Sequence, residues 1–305
     1  MAVKHFRAAK PLKSGALVAL VAPAGALQNP EELPRAQENA RTMGWEPVVG
    51  PRAEDRVGYL AGHDRDRLND INRALRDPKI DAIWCLRGGY GMMRILPGID
   101  YDALSRTPKS IIGYSDITAL HAAVQRKCKL ITFHGPTARE ILTDFSRDSF
   151  QRAVVRQSDS CGVAGNAREI NAGTAEGRLV GGNLAVISAL CGTPYMPDLS
   201  DGILVLEDVN EPVYRFDRML QQLKLSGALH GCKAIVFGTC TGCTDTPAGG
   251  RSFDDVLGEL VHELGVPCLA GIPMGHIPEQ WTIPLGAMGR LDTGARTLTV
   301  TSFTS

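Results

Sequence analysis

Ser115 lies in Ser110-Ile-Ile-Gly-Tyr-Ser-Asp-Ile-Thr-Ala119, between a buried apolar run and a segment with helical periodicity. A serine on a sharp strand-to-helix turn has the geometry of a nucleophile elbow, although the residues read Gly-Tyr-Ser-Asp-Ile rather than Gly-x-Ser-x-Gly. At such a junction the hydroxyl projects above the sheet, and free N–H groups of the first helical turn point into the same space, where an oxyanion would be stabilised. The competing reading is a plain helix cap, because serine is a preferred N-cap residue. A serine hydroxyl is too weak an acid to attack unaided, so a base is required, with a third group to hold that base. His134 in Phe-His-Gly-Pro and His276 in Ile272-Pro-Met-Gly-His-Ile-Pro-Glu279 are the two serious bases. His5 sits in the tail, and His63, His121, His230 and His262 fall in helical or turn contexts with ordinary surface explanations. Glu207 and Asp208 form an acidic pair at the end of the apolar run Gly202–Leu206, and either could orient the imidazole.

The loop Arg87-Gly-Gly-Tyr-Gly91 follows the apolar run Asp81–Leu86, and its glycines let backbone N–H groups approach a ligand closely. It is neither a dinucleotide fingerprint nor a phosphate loop. An oxyanion donor from the Gly89 amide, working with that of Asp116, is its better use. Tyr90 in this loop and Asn183 in the Gly-Gly-Asn turn are candidates for contact with substrate. Cys240-Thr-Gly-Cys243 has metal-clip or redox spacing, but no second Cys-x-x-Cys and no His-x-x-x-His completes a zinc site.

These residues need a scaffold. Ala16–Ala22 reads as a strand buried on both faces, closed by Pro23 and Gly25. Residues 30–43 look helical, Pro47–Val49 forms a short strand, and Arg65–Arg76 is an amphipathic helix. Strand, glycine turn and helix alternate to about residue 145, which argues for a doubly wound parallel sheet. Ligands of such sheets bind beyond the carboxyl ends of the strands, the edge at which the Arg87–Gly91 loop and Ser115 both fall. Residues 151–173 are polar with little periodicity and read as a linker around a possible short strand. The boundaries are therefore 1–150, the linker, and 174–305. The last part reads as α/β too, smaller and more open.

Composition narrows the function. Thirty-three Lys plus Arg balance 33 Asp plus Glu, leaving no overall field to hold nucleic acid or an anionic bilayer. A small substrate fits better. Eight scattered cysteines suit reduced core thiols rather than a disulfide framework. Met1–Lys10 is basic but lacks the apolar core of a signal peptide, and no apolar stretch approaches the roughly 20 residues of a membrane span. A soluble, cytoplasmic protein is expected.

Val21-Ala-Pro, Leu86–Gly91, Ile112–Ile117, Phe133–Pro136, Leu179–Leu184, Leu206–Asp208, Tyr214–Leu220 and Gly271–His276, taken in that order, resemble the LD-carboxypeptidase family of serine peptidases, which also includes the microcin C immunity proteins. The match spans nearly the whole chain and departs at Ala24-Gly25, where relatives often carry serines. The resemblance implies a Ser115–Glu207–His276 triad, choosing His276 over His134 and Glu207 over Asp208. It implies a flavodoxin-like nucleophile domain followed by a smaller β-rich domain carrying the glutamate and histidine. It further implies cleavage of an L,D peptide bond to release D-alanine from a cytoplasmic murein tetrapeptide, with no metal or cofactor, in a homodimer. Two alternatives stand beside it. One is hydrolysis of an acylated nucleotide antibiotic by the same triad, which needs an aromatic platform for the base; among Trp45, Trp84 and Trp281 only Trp281 lies near a proposed site residue. The other is a non-catalytic binding module in which Ser115 is only a cap.

Overall fold

The computed structural model describes residues 5–243 and 250–304, so Met1–Lys4 of the basic N-terminal stretch lie outside the described residues. The first sheet takes β1 (Leu17–Val21), β2 (Glu46–Val49), β3 (Ala82–Cys85), β4 (Ser110–Gly113) and β5 (Thr132–His134). These run parallel in the order β2-β1-β3-β4-β5, the flavodoxin-like order of a doubly wound sheet. β3 and β4 are buried at every position, which is why their sequences are continuous apolar runs rather than alternating ones. Helices α1 (Glu32–Thr42), α2 (Asp64–Arg76), α3 (Met92–Ile95), α4 (Tyr101–Arg106), α5 (Thr118–Cys128) and α6 (Asp144–Gln151) connect and flank these strands.

The second sheet is built from β6 (Gly162–Val163), β7 (Arg168–Asn171), β8 (Thr174–Asn183), β9 (Gly202–Val209), β10 (Ala234–Thr241) and β11 (Cys268–Ala270), with two later strands. Of the remaining strands, β12 (Ile283–Leu285), β13 (Met288–Asp292) and β14 (Thr297–Ser302), only the last two join it. Its eight strands run β6-β14-β13-β8-β9-β10-β11-β7, with a parallel centre from β8 to β11 and antiparallel flanks. Helices α7 (Leu184–Ala189), α8 (Val213–Leu225) and α9 (Phe253–Leu264) accompany it. β12 returns to the first sheet and pairs antiparallel with β5, Ile283 opposite His134.

The stretch 151–173 is not a linker. It begins with a π-helical turn continuing α6 and supplies β6 and β7 to the two edges of the second sheet. Its Ser160 hydroxyl is buried and donates to the Thr282 carbonyl at 2.7 Å. Polarity there reflects edge-strand exposure, since Arg168 and Glu169 in β7 are exposed.

The nucleophile-side helix is the hinge of the packing. In α5 only Arg126 and Lys127 escape burial, because the helix lies against both β8 and α7 while its N-terminus follows β4. Leu120 and Val124 are each essentially inaccessible, worth about 1.5–3 kcal/mol apiece. Both hydrophobic clusters draw on both sheets: Ile83, Leu120 and Leu206 share one, Trp84, Ile112 and Val205 the other. The elbow and the second sheet are thus parts of one packed interior.

Candidate active site

Ser115 has a backbone φ of +63°, a left-handed value that non-glycine residues adopt rarely and at a cost of about 1–3 kcal/mol. It starts a short 3₁₀ turn, Ser115–Ile117, that leads into α5. Neither that turn nor α5 receives a side-chain cap, so the hydroxyl is not spent as a helix cap. Gly88 abuts it: a Cβ there would stand 2.7 Å from the Ser115 Cβ and 3.0 Å from its Oγ. Only glycine lets the 87–91 loop lie on the serine. The Gly88 carbonyl accepts from the Gly25 N–H at 2.8 Å, and a trans peptide therefore turns the Gly89 N–H away from Gly25.

Asp116 is buried, and its Oδ2 accepts from the Met92 N–H at 2.7 Å, fastening the start of α3 to the serine turn. Burial pushes its carboxyl up to about 6, against the pull of that hydrogen bond and of Arg67.

From α5 a chain of contacts runs to the second sheet. Thr118 accepts the Asn183 N–H on its Oγ1 at 2.9 Å. Asn183 stands opposite Glu207 in the β8–β9 register and donates from Nδ2 to Glu207 Oε1 at 3.2 Å and to Asp208 Oδ1 at 3.1 Å. Its Oδ1 caps α7 by accepting from the Val186 N–H. Both amide protons and the carbonyl oxygen of Asn183 thus make contacts within the protein, and the side chain positions the two carboxylates.

Glu207 is completely buried, and its Oε2 lies 2.9 Å from His276 Nδ1. An ionised carboxylate only accepts, so Nδ1 carries the proton and Nε2 keeps its lone pair. Burial disfavours the charged imidazole, but the Glu207 hydrogen bond and the charges of Glu207, Glu140 and Asp208 outweigh it and raise the His276 pKa above its ordinary value. Asp208, also buried and pushed up to about 6, accepts from the Val209 and Ala185 N–H groups and ties β9 to the start of α7. The acidic pair that follows the apolar run Gly202–Leu206 lies inside the protein, within β9.

His276 reaches Glu207 because of a bulge and a glycine. The β9–β10 register shifts between Phe237 and Cys240, and the Thr239 N–H donates to the Met274 carbonyl at 2.9 Å, drawing the 272–276 segment onto the strand end. Gly275 has φ +114°, and a Cβ there would stand 2.9 Å from Glu207 Oε2. The Thr241 hydroxyl holds the His276 carbonyl at 3.0 Å.

The residue joining the two halves is Tyr114. It precedes Ser115, and its ring lies 4.9 Å, centroid to centroid, from that of His276. Beside its phenol lies Glu140, a half-buried carboxyl that accepts from Thr137 Oγ1 at 2.8 Å. Tyr114 was visible in the Gly-Tyr-Ser-Asp motif without a signal for this role, and Glu140, isolated in Ala138-Arg-Glu-Ile141, carried none.

The competing histidines fall elsewhere. His134 is wholly buried in β5, 5.9 Å edge-on to Tyr114, with burial holding its pKa well below the ordinary range. His121, expected at the surface, is equally buried in α5, where burial lowers it to about 4 despite its contact with the Gly113 carbonyl at 2.8 Å. Tyr90 is exposed at the loop crest and packs against Tyr59 at 5.4 Å. Trp281 is 2% exposed and presents no platform, like the buried Trp45 and Trp84. Among the described residues no group of three or more His, Cys, Asp or Glu side chains could hold a metal ion, and no helix is long and apolar enough to cross a membrane.

A strained serine above a doubly wound sheet, near an imidazole polarised by a buried carboxylate, is the working arrangement of a serine hydrolase. Comparison with known proteins gives the particular kind. Residues 18–135 match the LD-carboxypeptidase N-terminal domain and residues 176–291 the LD-carboxypeptidase C-terminal domain. The chain is 33% identical over 304 residues to the probable murein peptide carboxypeptidase of Bacillus subtilis, covering 95% of this chain and 93% of that one. It is 35% identical over 289 residues to the murein tetrapeptide carboxypeptidase of Pseudomonas aeruginosa, covering 90% and 92%. The wild-type apo structure of the microcin C7 self immunity protein MccF superposes with a TM-score of 0.88 at 26% identity, covering 96% of this chain and 98% of that chain. The chain belongs to the LD-carboxypeptidase family and is a serine carboxypeptidase.

Proposed function

We propose that this carboxypeptidase cleaves the L,D peptide bond to the C-terminal D-alanine of a murein tetrapeptide, in cytoplasmic cell-wall recycling. The observation that carries the reading is the 2.9 Å contact between His276 Nδ1 and the fully buried Glu207, which supplies a base oriented for a serine. Ser115 Oγ attacks the carbonyl carbon of the penultimate residue while His276 Nε2 takes the hydroxyl proton. The tetrahedral oxyanion is met by the Gly89 and Asp116 amides, each such donor worth about 3 kcal/mol. His276 then passes its proton to the departing D-alanine amine. Water, deprotonated by the same ring, releases the acyl group from Ser115. Glu207 holds the tautomer throughout and stabilises the imidazolium, with Asn183 on its other oxygen.

The identities of 33% and 35% to relatives named for murein peptides support this substrate over an acylated nucleotide. The burial of all three tryptophans weighs on the same side, because none offers a face to a base. Mass spectrometry of a murein tetrapeptide digest tests the reading. Loss of one alanine, of D configuration, is the expected result; an intact tetrapeptide, with hydrolysis of an aminoacyl-sulfamoyl nucleoside instead, would overturn it.

A further inference from the structure

The catalytic reading leaves one motif unused. Cys240 and Cys243 are the sole Cys-x-x-Cys pair in the sequence. Both are free thiols and only partly buried, whereas Cys85, Cys128, Cys161, Cys232 and Cys268 are buried. The Cys243 N–H donates to the Cys240 carbonyl at 3.3 Å, closing a four-residue turn whose third member, Gly242, has φ +66°. Such a turn keeps its end Cα atoms within about 7 Å, the reach of a disulfide. The Cys243 sulfur accepts the Glu211 N–H at 3.3 Å.

This turn is wired to the active site on both sides. Cys240 stands opposite Asp208 in the β9–β10 register, one residue beyond Glu207. Thr241, between the cysteines, donates its hydroxyl to the His276 carbonyl at 3.0 Å and accepts the Asn210 N–H at 2.8 Å on its own carbonyl. A change in the turn therefore reaches the segment that carries the base.

We propose that Cys240 and Cys243 form a reversible thiol–disulfide modification site whose closure lowers turnover; the effect on turnover rests on the peptidase reading above. The oxidant is a hydroperoxide. Cys243, whose sulfur accepts the Glu211 N–H, is the attacking thiol: once it has lost its proton it takes the terminal oxygen of hydrogen peroxide, the O–O bond breaks, and hydroxide leaves as water after taking up a proton. The Cys240 sulfur then attacks the Cys243 sulfenic acid; the S–S bond forms, the S–O bond breaks, and the Cys240 proton leaves with the hydroxide as a second water. Two thiols are oxidised and one peroxide is reduced. A dithiol reverses the change by exchange. Bringing the two sulfurs to the roughly 2.05 Å of a disulfide draws in the turn and takes the Thr241 hydroxyl off the His276 carbonyl.

The test treats the full chain with hydrogen peroxide, maps its tryptic peptides by mass spectrometry and assays murein tetrapeptide turnover. The expected result is a peptide carrying both cysteines and lighter by two hydrogens, with kcat/KM lowered about tenfold and restored by dithiothreitol. Cys243→Ser should match the reduced protein in turnover and resist peroxide. The proposal is overturned if no internal disulfide forms, if it forms with turnover unchanged, or if Cys243→Ser loses activity equally. A reduced protein that turns over no tetrapeptide sinks the peptidase reading instead, and the peptide map then decides the disulfide site alone.

Discussion

The two sides of the active site are held by different physics. The serine side is one contiguous stretch, β4 into α5, placed by steric contact: Ser115 is strained at φ +63° and Gly88 lies directly on it. The acid–base side is gathered from β8, β9, β10 and the 271–277 loop, and is placed by hydrogen bonds from Asn183, Thr239 and Thr241 and by the Glu207–His276 contact. A sterically placed group fails abruptly when a methyl is added. A hydrogen-bonded carboxylate and imidazole fail by degrees, and in a way that depends on pH.

Substitutions can break this comparison, starting with the severest. Ser115→Ala should lower kcat by about 10⁴-fold or more, and adding His276→Ala should cost little beyond that, since triad members act as a unit. Steady-state kinetics of the single and double variants measures it; additive losses would separate the two sides. Gly88→Ala and Gly275→Ala should each cost about 100-fold, because a Cβ at either site collides with Ser115 or with Glu207. They should differ in pH dependence: Gly88→Ala keeps the wild-type profile, while Gly275→Ala, which displaces the ring from its carboxylate, moves it. Identical profiles would erase the distinction.

Asn183→Ala should cost about tenfold in kcat and about 1–3 kcal/mol in urea-unfolding stability, because it strips donors from two buried carboxylates and a cap from α7. The smallest effect is on pH alone. His276 must be neutral to accept the serine proton, and its pKa is raised, so kcat/KM falls as pH drops through a value above 6.5. Asp208 is ionised in that range, its own pKa being about 6. Asp208→Asn removes a negative charge near the ring, lowers the imidazole pKa, and should move the acid limb of the profile to lower pH. A limb that stays still or moves up contradicts the sign.

The same contrast explains what could be read from the residues alone. The elbow was legible because strand, glycine turn and helix are adjacent in sequence; the parallel sheet followed from their alternation, and its flavodoxin-like character from the family resemblance. Glu207 and His276 were identifiable as residue types, but their selection over Asp208 and His134 came from family resemblance, since nothing local marks which carboxylate a distant imidazole meets. The contact of Asn183 with Glu207 carries no local signal either, because it depends on the β8–β9 register that sets the two residues opposite each other. The stretch 151–173 looked like a linker because edge strands carry polar residues. His121 looked exposed because its burial depends on a second sheet that covers α5 from outside its own stretch.

The central claim is that Ser115 is a nucleophile only because His276, held by Glu207, takes its proton. A fluorophosphonate probe with mass-spectrometric location of the adduct tests it most directly. The account expects one adduct, on Ser115, in the wild-type protein, and labelling slowed by at least about 100-fold in His276→Ala. An adduct on another residue, or labelling of Ser115 at an undiminished rate without the imidazole, would contradict it.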